Sequence, residues 1–168
     1  MAKNSILDFD LGSWVFPVST ASKEAQHLFD LGLNWCFGFN QDEGLACFKA
    51  AAALDPQCAM LHWGIAYASG PFYNMPWCDF GEIEASECTA FCRGHIDKAL
   101  ALSGTATALE IALIDALAQR IQKPHPVSRE EFDRWDGACA DAMRKINEEL
   151  PDNLDVMAFF AEAMMTRT

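Results

Sequence analysis

The fold is decided by residues 28–56, LFDLGLNWCFGFNQDEGLACFKAAAALDP, which carry two helical patterns in succession. Leu28, Leu31 and Trp35 recur at the three- and four-residue intervals of one helix face. The first pattern ends at Gly38, and the second runs from Gln41 until a proline at position 56 stops it. This stretch therefore predicts two consecutive helices joined by a short link.

The same helical patterning continues on both sides of this pair. Ser19, Thr20 and Ser22 are candidate caps for the first helix. Further helices are predicted at about 57–69, 82–102, 106–122, 129–149 and 154–166. Sustained alternation typical of strands is almost absent, so we expect an all-α protein. Two loops interrupt the helices: 70–81, which holds two prolines and four aromatic residues, and 123–128, which holds two prolines around His125.

Small and large residues in the first two helices follow a known repeat spacing. Leu28, the pair Leu31-Gly32 and Trp35 match the first helix of a tetratricopeptide repeat, and the second helix matches at Gly44, Phe48, Ala51 and Pro56. A similar pattern returns 95 positions later at Cys139, Met143, Ile146, Pro151, Met157, Phe160 and Met164. Over about residues 22–166 the sequence resembles the tetratricopeptide repeat family, and in particular the amino-terminal part of uncharacterised, longer bacterial and fungal proteins of that type.

The resemblance implies a specific architecture. We expect antiparallel helix hairpins stacked as a right-handed α-solenoid with degenerate repeats. An extended arm, 1–21, would precede the helical array, 22–168, with its aromatic loop at 70–81. The last predicted helix lacks the second helix of its hairpin, so we expect a truncated array whose exposed end is covered by further chain or by another copy.

Composition and charge narrow the classes of partner. Of the 168 residues, 51% are hydrophobic, and the formal net charge is −12, which disfavours nucleic acid as a partner. No apolar run approaches the roughly 18 residues of a membrane span, and no signal peptide is recognisable, so we expect a cytoplasmic protein without membrane contact. The acidic clusters, such as SREEFDRWD at 128–136, are predicted to be solvated helix faces.

Seven cysteines without a C-x-x-C pair favour reduced thiols packed in the core. Two helical groups contain metal-ligand types: Cys58 with His62, and Cys88 with Cys92 and His95. The repeat pattern explains His62 and Cys92 as packing positions, so we predict no metal and no cofactor. Cys78 could pair with His62 or His125 as a nucleophile, but no catalytic motif accompanies it. No catalytic residue is predicted, and a function without catalysis is favoured.

The resemblance also predicts a binding groove. In such arrays the groove is lined by first-helix residues beside the packing positions, and here these are apolar and aromatic. With two loop residues added, the set is Phe29, Leu33, Phe37, Met60, Trp63, Tyr67, Tyr73 and Trp77. We expect a protein-binding scaffold or adaptor for a protein or peptide with an apolar segment. The apolar residues Ile6, Leu7, Phe9, Leu11, Trp14, Val15 and Phe16 of the arm could themselves occupy this groove, or cap the first hairpin.

Two alternatives stay open. One is a small-molecule-binding or enzymatic helical domain with a pocket near residues 58–78. The other is a structural subunit that forms a homodimer through its last helix. A closed cavity with converging polar groups would favour the first alternative, whereas an open continuous groove would favour the adaptor.

Overall fold

The computed structural model describes residues 10–125 and 128–167, and this part of the chain is all-α, as predicted. Its seven α-helices are α1 (Lys23–Phe37), α2 (Gln41–Leu54), α3 (Ala59–Ser69), α4 (Glu82–Leu102), α5 (Ala108–Arg120), α6 (Arg129–Glu149) and α7 (Leu154–Met165). Short 3-10 turns occupy Trp77–Asp79 and Ser103–Thr105. Within the described ranges there is no β-strand, only an isolated bridge between Phe72 and Met75.

Polar side chains fix where the helices begin. The side chain of Ser22 accepts a hydrogen bond from the Ala25 N–H at the start of α1, and the Asn153 side chain accepts from backbone N–H groups at the start of α7. Thr107 and Glu110 form a capping box on α5. Each cap satisfies backbone N–H groups that have no partner inside the helix.

Each helix packs against the next helix along the chain, and α3 also contacts both α1 and α5. Phe48 of α2 is fully buried where α1, α2 and α3 meet. A Cβ added at Gly32 would lie 2.7 Å from the Phe48 ring, and one added at Gly64 would lie 2.5 Å from it. Glycine at these two positions therefore allows α1 and α3 to approach the same aromatic ring.

The segment before α1 is held by hydrogen bonds to three helices. The Phe16 N–H donates to Asp30 of α1 at 3.0 Å, and the Ser19 N–H donates to Glu110 of α5 at 2.6 Å. The indole N–H of Trp14 donates to Asp155 of α7 at 3.0 Å. The predicted apolar residues Ile6, Leu7 and Phe9 lie outside the described residues.

The acidic clusters are not uniformly solvated, and the prediction was wrong for two residues of the 128–136 cluster. Glu131 is 9% exposed and Asp136 is 6% exposed. Both have cationic partners, since Glu131 accepts from Lys123 and Asp136 accepts from Arg120. Burial of a carboxylate is tolerated when such a partner is present.

None of the described helices combines the length and the apolar character that crossing a bilayer would require.

Candidate functional site

The residues predicted to line a groove are mostly interior. Phe29, Leu33 and Met60 are fully buried, and Trp63 and Trp77 are nearly so. Tyr67 is half-buried, whereas Phe37 and Tyr73 are exposed. A continuous open channel therefore does not run along these residues.

The chain itself fills the space in front of α1 and α3. Phe159 of α7 lies with its ring centroid 5.7 Å from Phe37, 5.5 Å from Trp63 and 5.8 Å from Tyr67. Phe16 of the amino-terminal segment lies 5.8 Å from Phe159. The predicted groove surface is thus occupied by aromatic side chains from both ends of the described chain.

Behind this aromatic cluster lies a buried polar network centred on Arg120 of α5. Its Nε donates to Asp136 of α6 at 3.2 Å, and its Nη1 donates to Glu162 of α7 at 3.4 Å. Burial lowers the pKa of Arg120, but the charges of Glu162 and Asp136 outweigh that effect and raise the pKa overall. Arg120 therefore stays cationic and ties three consecutive helices together.

A small cavity of about 20 Å³ adjoins this network, between α3, α5, α6 and α7. Its lining includes Tyr67, Arg120 and Glu162. A volume of this size holds roughly one water molecule, so it does not accommodate an organic ligand.

A much larger cavity, which we call the loop pocket, has a volume of about 680 Å³. It lies where the 3-10 turn Trp77–Asp79 and the start of α4 face His125, Ser128 and the start of α6. Described residues of the two loops that the sequence singled out thus line one site, namely Trp77 and Phe80 of the first loop and His125 and Ser128 of the second, about fifty residues away.

Aromatic rings form one part of the loop pocket. The rings of Trp77 and Phe132 are stacked, with centroids 4.2 Å apart and an interplanar angle of 17°. Phe80 packs against Trp77 at 5.3 Å. Trp77 and Phe132 are only 7% and 9% exposed, so the three side chains form a mostly buried apolar wall of the pocket.

Charged and polar side chains from both sides complete the lining. Glu82, Asp133 and Asp136 supply carboxylates, and His125 and Arg129 supply donors. Asp136 is the buried member of this set, and burial raises its pKa to about 6 despite the opposing charge of Arg120. Asp136 links the loop pocket to the buried network, because it lines the first and belongs to the second.

The residues considered for nucleophilic chemistry come together only in part. Cys78 and His125 both line the loop pocket, whereas His62 does not. The Cys78 thiol donates to Asp79 at 3.7 Å rather than to an imidazole. No activated Cys–His pair is formed by these described residues.

The candidate metal ligands form two separate pairs. The Sγ atoms of Cys88 and Cys92 are 4.0 Å apart, and Nδ1 of His62 lies 3.2 Å from Nδ1 of His95. Burial and the neighbouring His62 lower the pKa of His95 to about 4. Within residues 10–125 and 128–167 no three such ligands converge on a common position, and Cys58 is buried in the core.

Sequence reasoning missed Phe132 and Asp136 as members of a site. Both belong to α6, and their only signal was an aromatic residue and an acid at i and i+4 in a helix of high charge. That spacing places them on one face, but it does not say which loop the face meets.

Comparison with known proteins gives no assignment: no protein-family model, curated protein or solved structure matches the chain.

Proposed function

We propose that the protein binds a small organic molecule in the loop pocket. The observation that carries this proposal is a cavity of about 680 Å³ with a stacked aromatic pair in its lining. Binding sites for small ligands typically have volumes of about 300–1,000 Å³ and combine apolar walls with a few placed polar groups.

The lining favours a flat ring system that carries polar substituents. The Trp77–Phe132 pair and Phe80 supply an apolar wall, and the carboxylates and the basic residues of the lining supply acceptors and donors. A ligand of this kind can make apolar contacts and hydrogen bonds at the same time. Catalysis is not part of the proposal.

Filling the pocket without disturbing the core tests this proposal. Ser86 lines the loop pocket on α4, so Ser86→Trp should place an indole in the cavity and abolish binding of ring-containing fragments. Ala90 is exposed one turn further along the same helix and does not line the loop pocket, so Ala90→Trp is the matched control. Ligand-observed NMR with a fragment set measures both variants, with circular dichroism to verify folding.

Fragments that bind the chain and Ala90→Trp but not Ser86→Trp would support the proposal. Equal binding to both variants, or no binding to the unsubstituted chain, would contradict it.

We further propose that the helices form a degenerate array of tetratricopeptide type. The contacts of α3 with both α1 and α5 support this, because first helices of successive hairpins lie side by side in such arrays. The close approach of Gly32 to Phe48 supports it as well, since a small residue and an aromatic residue occupy these two places in the repeat. A cytoplasmic location is proposed from the seven free cysteines.

The adaptor hypothesis is less favoured at the predicted groove, because Phe159 and Phe16 already pack there. A foreign apolar segment would have to displace them.

A homodimer through the last helix is a second candidate, favoured by one observation. α7 exposes Leu154 by 77%, Met157 by 45% and Met165 by 49%. If this face pairs with a second copy, sedimentation velocity at increasing concentration should show a dimer that Met157→Glu dissociates, because the variant places a charge in the interface. A monomer at every concentration would contradict it.

A further inference from the structure

A second large groove lies between α2 and α4, and it shares the Phe80 side chain with the loop pocket. We call it the α2–α4 groove; its volume is about 800 Å³, and it is bounded by the α1–α2 link, the 68–75 segment and one face of α4. None of its charged residues takes part in the buried network around Arg120. Apart from Phe80 the two linings share no residue, so the carboxylates and the exposed rings of this groove are separate from the loop pocket.

The charges on the α2–α4 groove are of one sign. Asp42 and Glu43 lie on the α2 side, Glu84 and Glu87 lie on the α4 side, and no lysine or arginine is among the lining residues. None of the four carboxylates forms an ion pair within the described part of the chain. Two facing rows of unneutralised carboxylates favour a partner with several positive charges.

The groove is also apolar between these two rows. Phe39 is 55% exposed and Phe91 is 41% exposed, while Phe72 and Met75 are half-buried beside them. The Phe91 ring already contacts one cation of the chain itself, since Nζ of Lys49 lies 5.4 Å from its centroid. Exposed aromatic rings in a groove with a charged rim are typical of protein-binding surfaces. A partner must therefore carry apolar side chains in addition to positive charge.

The backbone at Phe39 adds a third observation. Phe39 has φ = 61°, the one non-glycine residue with a positive φ in the described ranges. For a bulky side chain this conformation is unfavourable, and glycine would adopt it without strain. The protein thus holds an exposed phenylalanine at a position where local stability favours glycine.

The distribution of the carboxylates argues against a single bound metal ion. Among the described residues, no three carboxylate, thiol or imidazole groups are close enough to hold one ion. The acids are instead spread along both edges of the groove. An extended partner with distributed charges matches this arrangement, whereas a compact divalent cation does not.

We propose that the α2–α4 groove binds a basic amphipathic segment of a partner protein. Lysine or arginine side chains of that segment would pair with Asp42, Glu43, Glu84 and Glu87, and its apolar face would pack on Phe39 and Phe91. The net charge of −12 of the whole chain would accelerate encounter with such a segment.

A synthetic peptide tests the proposal. The probe is a leucine–lysine peptide of about 18 residues, or five helical turns, with the leucines on one face. A peptide of the same composition with the leucines scattered is its control. Fluorescence anisotropy of the labelled peptides against the full chain measures affinity at two salt concentrations.

Variants locate the binding. Glu43→Gln combined with Glu87→Gln should weaken binding of the amphipathic peptide by about fivefold or more, because two charge pairs are lost. Glu148→Gln combined with Asp152→Asn changes the net charge equally at exposed positions outside the groove, and should leave the affinity within about twofold. Phe91→Ala should weaken binding as well, since it removes an apolar anchor.

Several results would overturn the proposal: no binding of the amphipathic peptide, equal binding of the scattered peptide, equal weakening by both pairs of acid substitutions, or no effect of Phe91→Ala. Competition with spermine tests whether the groove binds small polycations instead of a peptide. Spermine binding that depends on the groove carboxylates, together with peptide binding that is indifferent to Phe91, would assign the groove to small polycations and overturn the peptide assignment.

Discussion

At the scale of single residues, the close approach of α1 and α3 to Phe48 depends on two glycines. Gly64 is the tighter of the two, because an added Cβ would lie 2.5 Å from the Phe48 ring. The sequence predicted Gly32 and Gly44 as small positions of a repeat, and the spacing of that repeat indicates them directly. The closest approach, at Gly64, was not part of the prediction.

We expect Gly64→Ala to destabilise the protein, because the methyl group must displace a fully buried ring. Gly94→Ala is the matched control, since a Cβ at this helical position meets no atom within 4 Å. The control should gain about 0.5–1 kcal/mol of stability from reduced backbone freedom. Overpacking at Gly64 should cost about 1–3 kcal/mol. Urea unfolding measures both; a Gly64→Ala variant as stable as the control would contradict the close packing of α3 on Phe48.

Asp136 makes stability depend on pH in a direction opposite to that of most carboxylates. Its pKa is raised from 3.8 to about 6, chiefly by burial. Between these two pH values the folded state binds more protons than the unfolded state, so the contribution of Asp136 to stability falls as pH rises. Above about pH 6 the loss is complete and amounts to on the order of 1–3 kcal/mol.

Asp136→Asn should remove this dependence, although it also weakens the contact with Arg120. The difference in unfolding free energy between the variant and the unsubstituted chain should therefore become more favourable to the variant from pH 4 to pH 7. Asp141→Asn, which removes an exposed ion pair with Arg167, is the control. Its difference in unfolding free energy from the unsubstituted chain should stay constant from pH 4 to pH 7. A constant difference for Asp136→Asn across this range would contradict the assignment.

At the scale of helices, α7 completes the aromatic cluster in front of α1 and α3. Phe159 is 3% exposed and contacts rings from α1, α3 and the amino-terminal segment. Its neighbour Phe160 is only partly buried and lies beneath the Arg144 guanidinium at 5.3 Å. The two adjacent phenylalanines therefore have different roles.

Phe159→Ala should cost about 3–5 kcal/mol, as expected for a fully packed aromatic side chain. Phe160→Ala should cost less than half as much, because its ring is partly in water. Chemical denaturation compares the two, and hydrogen exchange in α1 should increase only for Phe159→Ala. Similar losses for both variants would be inconsistent with the packing of α7 on α1 and α3 through Phe159.

The helices themselves were predictable from the sequence. The helices 82–102 and 129–149 were predicted with the bounds that the structure has, and others differ by about two residues at an end. Caps and prolines are local signals, and they determine where a helix begins and ends. The side of α7 that turns toward the chain is a tertiary property, so the sequence predicted an apolar helix but not the filling of the groove surface by Phe159.

At the scale of the whole molecule, the loop pocket exists because two distant loops meet. The sequence identified both loops as unusual and placed Trp77 in a site. Phe132 and Asp136 were not predicted, because their helix was interpreted as a solvated acidic face. Only the packing of α6 against α5 and against the 3-10 turn Trp77–Asp79 brings them to the pocket.

The central claim is that a small organic molecule binds in the loop pocket, whose wall includes Trp77. The most direct measurement is the indole N–H region of a ¹⁵N–¹H NMR spectrum, in which the five tryptophans give five signals. Trp77→Phe assigns the signal of Trp77. On addition of a fragment that binds, we predict a shift of the Trp77 signal, with the signal of Trp63, whose indole donates to the Leu113 carbonyl at 3.1 Å, unchanged. A binding fragment that leaves the Trp77 signal in place would contradict the claim.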